Sequence, residues 1–383
     1  MSQHLLTLNA GSSSIKYSLF EFEGGAPSLN GQIEGLGTSQ GALTHPQAIE
    51  QIIGRIGAAR IVAVGHRIVH GGTRFAQPVA IDDEVLAAIE ALSPLAPLHQ
   101  PHNVAGVKAA RAAFPGVPQI ACFDTAFHRS MPERNQRFAL PRALHAQGIR
   151  RYGFHGLSYE SIAAQLIQRE QGASGWQAGR TVVAHLGNGA SMCAMLNSRS
   201  VATTMSFSPL DGLPMGTRCG RIDAAVVLHL IQQQGLSAER IGQLLYRESG
   251  LLGLSGISSD MRELLASKDP QAAQANDYFV EHAGRELAGM AAALQGIDTL
   301  VFTGGIGEHA APIRQRIVQA CAWMGLRLDA QANAAGRERI SSDDSPVAVL
   351  VLHTDEEAVI AGHAAQWLGS NAASAGQRPT IGP

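Results

Sequence analysis

One pattern occurs twice in this chain and limits what it can fold into: an apolar strand, a turn of glycine and small polar residues, and a second apolar strand. The first copy is LLTLNAGSSSIKYSLF, residues 5–20, and the second is TVVAHLGNGASMCAML, residues 181–196. Each reads as a β-hairpin. Two copies do not make a solenoid. They suggest duplication of one αβ domain, each copy beginning with a hairpin whose turn faces a shared cleft.

Between and after the hairpins, strands alternate with helices. RIVAVGHRIV (60–69) is β-rich and runs into Gly71-Gly72. DDEVLAAIEAL (82–92) places acidic residues before an i, i+3/i+4 apolar pattern, a helix start. PQIACFD (118–124) is a buried strand ending on an aspartate. In the last third AGRELAGMAAAL is helical, DTLVFT is a buried strand and GGIGEH a glycine turn. APIRQRIVQACAWMG follows as a helix with Pro312 in its first turn, then the strand VAVLVLHT and the closing helix DEEAVIAGHAAQWLG. The tail SNAASAGQRPTIGP has no core-forming pattern and reads as mobile. This alternation is that of an α/β protein.

Composition narrows the function classes. A chain of 383 residues accommodates two domains, and 45% hydrophobic with 16% charged residues supplies their cores. A net charge of −2, with no Lys/Arg cluster, gives no attraction to nucleic acid or to an anionic membrane. Cys122, Cys193, Cys219 and Cys321 are scattered singly, which suits a reduced compartment rather than a zinc or redox pair. The start, MSQHLLTLNAGS, lacks a basic n-region and a long apolar run, and no stretch approaches the ~18 apolar residues of a membrane span. A soluble, cytoplasmic protein with neither nucleic-acid nor membrane partner is expected.

Three turns could hold phosphate. In the first, small residues let the backbone approach an anion, Ser12 and Ser14 add hydroxyls, and Lys16 adds a charge, although a plain polar turn fits as well. LGNGAS (186–191) is similarly rich in donors, but Asn-Gly is also the usual signature of a tight hairpin. Gly305-Ile306-Gly307-Glu308-His309-Ala310, with Asp329 downstream, approaches a dinucleotide fingerprint. It lies too near the C-terminus to open a full dinucleotide domain, and such a turn can equally hold the adenosine end of a mononucleotide.

Single residues complete the candidate set. GHRIVHGG and MGTRCGRID place Arg67 and Arg218 among glycines and apolar residues, where an arginine tends to have an anionic partner. His66/His70 and His99/His102 have metal-like spacing but no third ligand, which favours structural roles. His155 in YGFHGLS stands just before a helix pattern. Asp124 and Glu356 follow strands, at the end of α/β strands that commonly holds ligands, and Mg²⁺ on a nucleotide needs only one or two carboxylates. Asp355 fits a helix N-cap.

Together NAGSSSIK, GHRIVHGG, LAPLHQPHN, FDTAFHRSMP, YGFHG, HLGNGAS, PLDGLPMGTRCG, SGISSDMREL and FTGGIGEH, in that order, resemble the acetate kinase family across almost the whole chain. The resemblance implies two duplicated actin-like (ribonuclease H-like) α/β domains with an active-site cleft between them. One would be 1–126 with 358–383 and the other 127–357, the latter binding nucleotide and mediating a homodimer. It implies transfer of the γ-phosphate of ATP to acetate, with ADP as co-product and Mg²⁺ as metal, Mn²⁺ being able to substitute. Propionate kinase is the alternative, and a non-catalytic nucleotide switch a remoter one.

Residue by residue, the resemblance makes Asp124, His155, Arg218 and Arg67 catalytic. Asp124 would orient an arginine or metal-bound water, and His155 would donate to the phosphoryl oxygens in transit. Arg67, Val69, Leu98, Phe154 and Pro209 would hold the acyl group, Val69 being of the acetate type. Asn9 and Glu356 would lie near Mg²⁺. Nucleotide would contact Ser12, Ser14 and Lys16, His185, Leu186, Gly187, Asn188 and Gly189, Asp260, Met261 and Arg262, and Gly304, Gly305, Ile306 and Gly307. Three positions depart from the family pattern: His309 and Asp355 replace asparagine, and Met261 replaces an aromatic residue beside the adenine.

Overall fold

The computed structural model describes residues 2–37, 42–172 and 178–375, with the side chains of 372–375 excepted. The chain divides into two compact units: Met1–Phe127 with the segment from Asp355 onward, and His128–Thr354.

The first unit is built on six strands: β1 (Gln3–Ala10), β2 (Ser14–Glu21), β3 (Leu29–Glu34), β4 (Arg60–Ile68), β5 (Val79–Ala80) and β6 (Gln119–Phe123). Their order is β3-β2-β1-β4-β6-β5. β1, β2 and β3 form an antiparallel meander, while β4 runs parallel to β1 and β6 parallel to β4. The helix His45–Ile56 opens on a Thr44–Gln47 capping box with a proline in its first turn, so its leading N–H groups are satisfied or absent. Its Ala48, Ile49, Ile52 and Ile56 pack on Leu6, Leu8, Ile15 and Tyr17. Burying each such isoleucine contributes about 1.5–3 kcal/mol. The closing helix Glu356–Ala375 belongs to this unit and packs on β1 and β4. Its Ile360 lies where a Cβ on Gly65 of β4 would come within 2.4 Å of Ile360 Cγ2, so that strand position has to be glycine.

The second unit contains β7 (Arg180–Leu186), β8 (Ala190–Leu196), β9 (Arg199–Thr203), β10 (Thr299–Thr303) and β11 (Ala348–Val351), in the order β11-β10-β7-β8-β9. Again three strands form an antiparallel meander and two further strands run parallel to its first member. The two units therefore share the topology of five strands, the duplication that the paired hairpins suggest, and the first unit adds β5 antiparallel to β6. A 25-residue helix, Pro270–Leu294, packs on β7 and β8 and on neighbouring helices, and buries Ala272, Ala275, Phe279, Ala283, Leu287 and Ala291 at a spacing of three and four that makes one stripe.

Two local expectations differ in kind from the structure, and two elements are shorter than expected: the helix after GGIGEH ends at Ala320 and the last strand spans Ala348–Val351. GGIGEH is a short helix, Gly304–His309, rather than a turn. Gly304, at φ 77°, starts it by lying so close to β7 that an added Cβ would meet Leu186 O at 2.8 Å. The first residues of the tail expected to be mobile, 370–375, continue the closing helix, and the remainder lies outside the described residues. Among the described residues no helix is long and apolar enough to cross a membrane.

Candidate active site

In the first unit the candidate residues gather at the ends of β1, β4 and β6. Asn9 and Arg67 stand near the C-terminal ends of β1 and β4, and Asp124 directly follows β6. Arg67 donates Nε to Asp124 Oδ1 at 3.1 Å, Nη2 to Asp124 Oδ2 at 2.5 Å and Nη1 to Asn9 Oδ1 at 3.2 Å. Glu356 Oε2, at the start of the closing helix, lies 3.6 Å from Arg67 Nε. Burial works against the Arg67 charge, but Asp124, Glu356 and Glu357 outweigh it and hold the guanidinium above its ordinary range. Asp124 is 1% exposed and Arg67 19%, so one face of the arginine remains open to solvent.

Val69, buried, and Leu98, half-buried, follow in the same unit. The loop after β4 that carries Val69 is braced by two buried amides one helical turn apart. Asn103 accepts from Val69 N at 3.0 Å and donates to Ala10 O at 2.7 Å. Gln100 accepts from His70 N and donates to His70 O and Ile89 O. In the β1–β2 hairpin Asn9 pairs with Lys16, Gly11 N donates to Ser14 O, and Ser12 and Lys16 are exposed. Asp355 Oδ1 caps the closing helix by accepting from Ala358 N. His66 and His70 have structural partners: His66 Nε2 is bonded to Gln119 Oε1, and His70 Nδ1 accepts from Gly72 N.

In the second unit His185 and Ser191 are a cross-strand pair beside the Gly187–Gly189 turn, and Gly187 N donates to Gly189 O. His155, at φ 58°, sits just before the helix Gly156–Gly172 and stacks on His185 with ring centroids 4.3 Å apart. A Cβ on Gly189 would lie 3.3 Å from His155 Nε2 and 3.9 Å from Arg218 Nη1, so both groups point at this turn. Arg218 Nη1 also donates to Pro209 O at 3.0 Å. Phe154 and Pro209 are buried.

The loop that bears Arg218 is tied down by backbone. Leu251 N and Leu252 N, in the first turn of the helix Gly250–Ser255, donate to Met215 O and Gly216 O, and Ser249 N donates to Thr217 O. Gly250, at φ 64°, is required there because a Cβ would come within 2.1 Å of Met215 O.

A 470 Å³ pocket adjoins the glycine turn. Gly187, Asn188, Gly305 and Ile306 line one part, Asp260, Met261, Arg262 and Leu265 another, and His309 lies beside them. Asp260 caps the helix Met261–Ala266 and also pairs with Arg262, and those hydrogen bonds hold its carboxyl below the usual range. Gly304 N donates to Glu308 Oε1, and Gly307 packs against the end of β10. A concave site with a donor-rich turn at one end and an apolar wall suits a nucleotide.

Comparison with known proteins decides the family. The acetokinase family model matches residues 4–362. This chain belongs to the acetokinase family. It is 49% identical over 407 residues to an acetate kinase of Methylocella silvestris, covering 98% of this chain and all of that protein. It is 51% identical over 391 residues to one of Rhodopseudomonas palustris, covering 95% and 98%. Among solved structures, a propionate kinase from Francisella tularensis superposes with TM-score 0.88 at 35% identity, covering 95% of this chain and 99% of that one. An acetate kinase from Porphyromonas gingivalis superposes with TM-score 0.86 at 36% identity, covering 96% and 100%. The duplicated actin-like α/β fold expected from the sequence is the fold of these acetokinase-family structures.

Sequence reasoning missed several residues that adjoin the candidates in each unit. Glu357 adds to the negative field at Arg67, Ser158 Oγ is bonded to His185 Nδ1 at 2.8 Å, and Ser191 and Tyr159 stand behind His155. Ser191 lies inside HLGNGAS and Tyr159 inside YGFHGLSYE, so proximity to quoted motifs was the available signal.

Proposed function

We propose that this chain transfers the γ-phosphoryl group of ATP reversibly to acetate, giving acetyl phosphate and ADP, by direct in-line displacement that depends on Mg²⁺. The observation that carries this reading is Arg67, oriented by two hydrogen bonds to Asp124 with one face left open. The obstacle to the reaction is repulsion between an anionic carboxylate and an anionic phosphate. Fixed guanidinium groups answer it at the transition state, where an arginine can be worth about 10³–10⁵ in rate.

In this reading Arg67 and Arg218 neutralise the transferring group, and His155 donates to its oxygens. Asp124 orients Arg67 rather than acting as a base, because acetate is already ionised at neutral pH. Val69, Leu98, Phe154 and Pro209 receive the acyl methyl. The hairpin residues Ser12, Ser14 and Lys16, with His185, Leu186 and Gly187–Gly189, serve the phosphates. Asp260, Met261 and Arg262, with Gly304–Gly307, serve the adenosine. His309 and Met261 reach the nucleotide pocket, so base preference is the property they are expected to tune.

The oxygen donors around Arg67 are hard, and Mg²⁺ bound with a nucleotide needs few protein ligands, so the residues present fit such an ion. Asn9 and Glu356 would hold it, and Mn²⁺ would be accepted in its place. Bound there, it would neutralise charge on the phosphates.

A cytoplasmic homodimer completes the proposal. Its support is the helix Ala224–Gln232, AAVVLHLIQ, in which no residue is buried despite six aliphatic or alanine side chains among the first seven positions. Propionate is the second reading, favoured by the similarity to the propionate kinase structure. One methylene is worth only about 1–3 kcal/mol, so propionate is expected to be a poorer substrate than acetate, not an excluded one.

Initial rates with MgATP against acetate, propionate and butyrate, trapping acyl phosphate with hydroxylamine, test the reading. Turnover falling with chain length supports it, and equal kcat/KM for acetate and propionate removes the Val69 argument. ATP binding without acyl phosphate from any acid would leave a nucleotide switch. Net retention at a chirally labelled γ-phosphorus would exclude direct transfer.

A further inference from the structure

Behind His155 lies a buried chain of hydroxyls that the proposed reaction does not itself require. His155 Nδ1 is 2.9 Å from Ser191 Oγ, and the same oxygen is 2.5 Å from the Tyr159 hydroxyl. Ser191 and Tyr159 are both fully buried. The opposite edge of the imidazole, Nε2, faces Gly189 beside Arg218. The arrangement is fixed locally: Tyr159 N donates to His155 O, and Ser191 is held in β8 opposite His185. His155 itself takes the left-handed conformation, which is unfavourable for a residue with a Cβ and persists where the surroundings demand it.

A serine hydroxyl carries one proton and can donate it to one neighbour. The geometry allows either oxygen to donate; a phenol hydroxyl donates more strongly and accepts more weakly than an alkyl one, which assigns the donor to Tyr159 and the acceptor to Ser191 Oγ. The serine proton then goes to His155, whose Nδ1 must accept it. In a neutral imidazole an accepting Nδ1 leaves the ring proton on Nε2. Burial raises the Tyr159 phenol well above its ordinary range, so it keeps the proton that starts the chain.

We infer that Ser191 and Tyr159 are positioning residues that hold His155 in the tautomer protonated at Nε2, with its donor aimed at the glycine turn. This deepens the proposed function and rests on it for the identity of the acceptor, a phosphoryl oxygen. The first turn of one helix supplies anchors for both neighbouring rings, because Ser158 bonds His185 Nδ1 while Tyr159 reaches Ser191. The stacked imidazoles thus have their Nδ1 atoms engaged from behind.

The test uses the full chain labelled with ¹⁵N-histidine and long-range ¹H–¹⁵N correlation. The expected spectrum of His155 shows an unprotonated Nδ1 and a protonated Nε2. In Ser191→Ala the preference should be lost and kcat should fall at least about tenfold, bounded by the ~10²–10³ cost of removing a charge-stabilising donor outright. KM for ATP should change less than kcat. Tyr159→Phe, which removes only the hydroxyl, should shift both readouts in the same direction and guards against misfolding of the serine variant. In a His155→Ala background, Ser191→Ala should cost nothing further. A wild-type His155 protonated at Nδ1, unchanged tautomer and kcat in both variants, or full additivity with His155→Ala would overturn the inference. The spectrum can be read without turnover, so failure of the kinase reading is separable from failure of the tautomer.

Discussion

The Asp124 carboxylate takes two hydrogen bonds from one edge of Arg67, from Nε at 3.1 Å and Nη2 at 2.5 Å. A bidentate pair of this kind fixes the plane of the guanidinium as well as its position. Asp124→Ala should therefore act through Arg67. We expect kcat/KM for acetate to fall by at least about 10²-fold, while ATP affinity, assigned mainly to the second unit, stays within a few-fold. Hydroxylamine-trapped rates and a nucleotide titration measure the two separately. Near-wild-type turnover would remove Asp124 from the orienting role.

Gly250 is the point where the Arg218 loop meets the helix that anchors it. Gly250→Ala puts a Cβ into a left-handed residue and against Met215 O and Arg218 O. About 1–3 kcal/mol of strain should appear as lost stability, and displacement of the loop should lower kcat at least about tenfold. Urea unfolding and steady-state rates of the same preparation check both. A variant as stable and active as the parent would show that the loop is held by other means.

Stability should fall on mild acidification because three histidines are buried neutral. Burial pushes His66, His70 and His128 down to about 4 from the ordinary 6.5. Between those values the unfolded chain binds protons there and the folded chain does not. The stabilisation is thus complete above pH 6.5 and is lost as pH falls from 6.5 towards 4, with a slope approaching about 1.4 kcal/mol per pH unit per histidine. Urea midpoints from pH 7.5 to 4.5 measure it, and a constant midpoint over that range would contradict it.

The helix Ala224–Gln232 exposes Val226, Leu228 and Ile231 at 42–53% of their surface. If a second copy covers them, the double substitution Val226→Asp/Leu228→Glu should give a monomer in light scattering at concentrations where the parent is a dimer, with the circular-dichroism spectrum retained. A parent that is monomeric at every concentration would remove the dimer from the proposal.

Much of the fold was legible because the hairpins repeat and the strands alternate with helices. What the sequence could not separate was local. GGIGEH reads as a turn because glycines have low helix propensity, yet Gly304 at positive φ and the Glu308 carboxylate on its N–H start a helix there. The tail from Ser370 lacks an apolar stripe, but helix propagation carries its first residues on to Ala375. In the candidate site, arginines among glycines announced themselves by being out of place. Ser191, Tyr159, Gln100 and Asn103 did not, since a serine in a strand or an amide in a helix has no pattern that distinguishes a buried brace from an ordinary side chain. Only the fold brings Asn103 to Ala10 O and Val69 N.

The closing helix has a consequence for how the protein is made. Ile360, Ala361 and Ala364 are core residues of a unit whose sheet is otherwise encoded before residue 128, and Gly65 is shaped to receive Ile360. During synthesis that sheet leaves the ribosome with one face uncovered and must wait for the whole second unit to be translated. At ~5–20 residues per second the delay is on the order of 10–50 s. The second unit, continuous in sequence, can be finished first. The half that begins the chain is therefore the last to be completed, and it is the half for which a holding chaperone matters most.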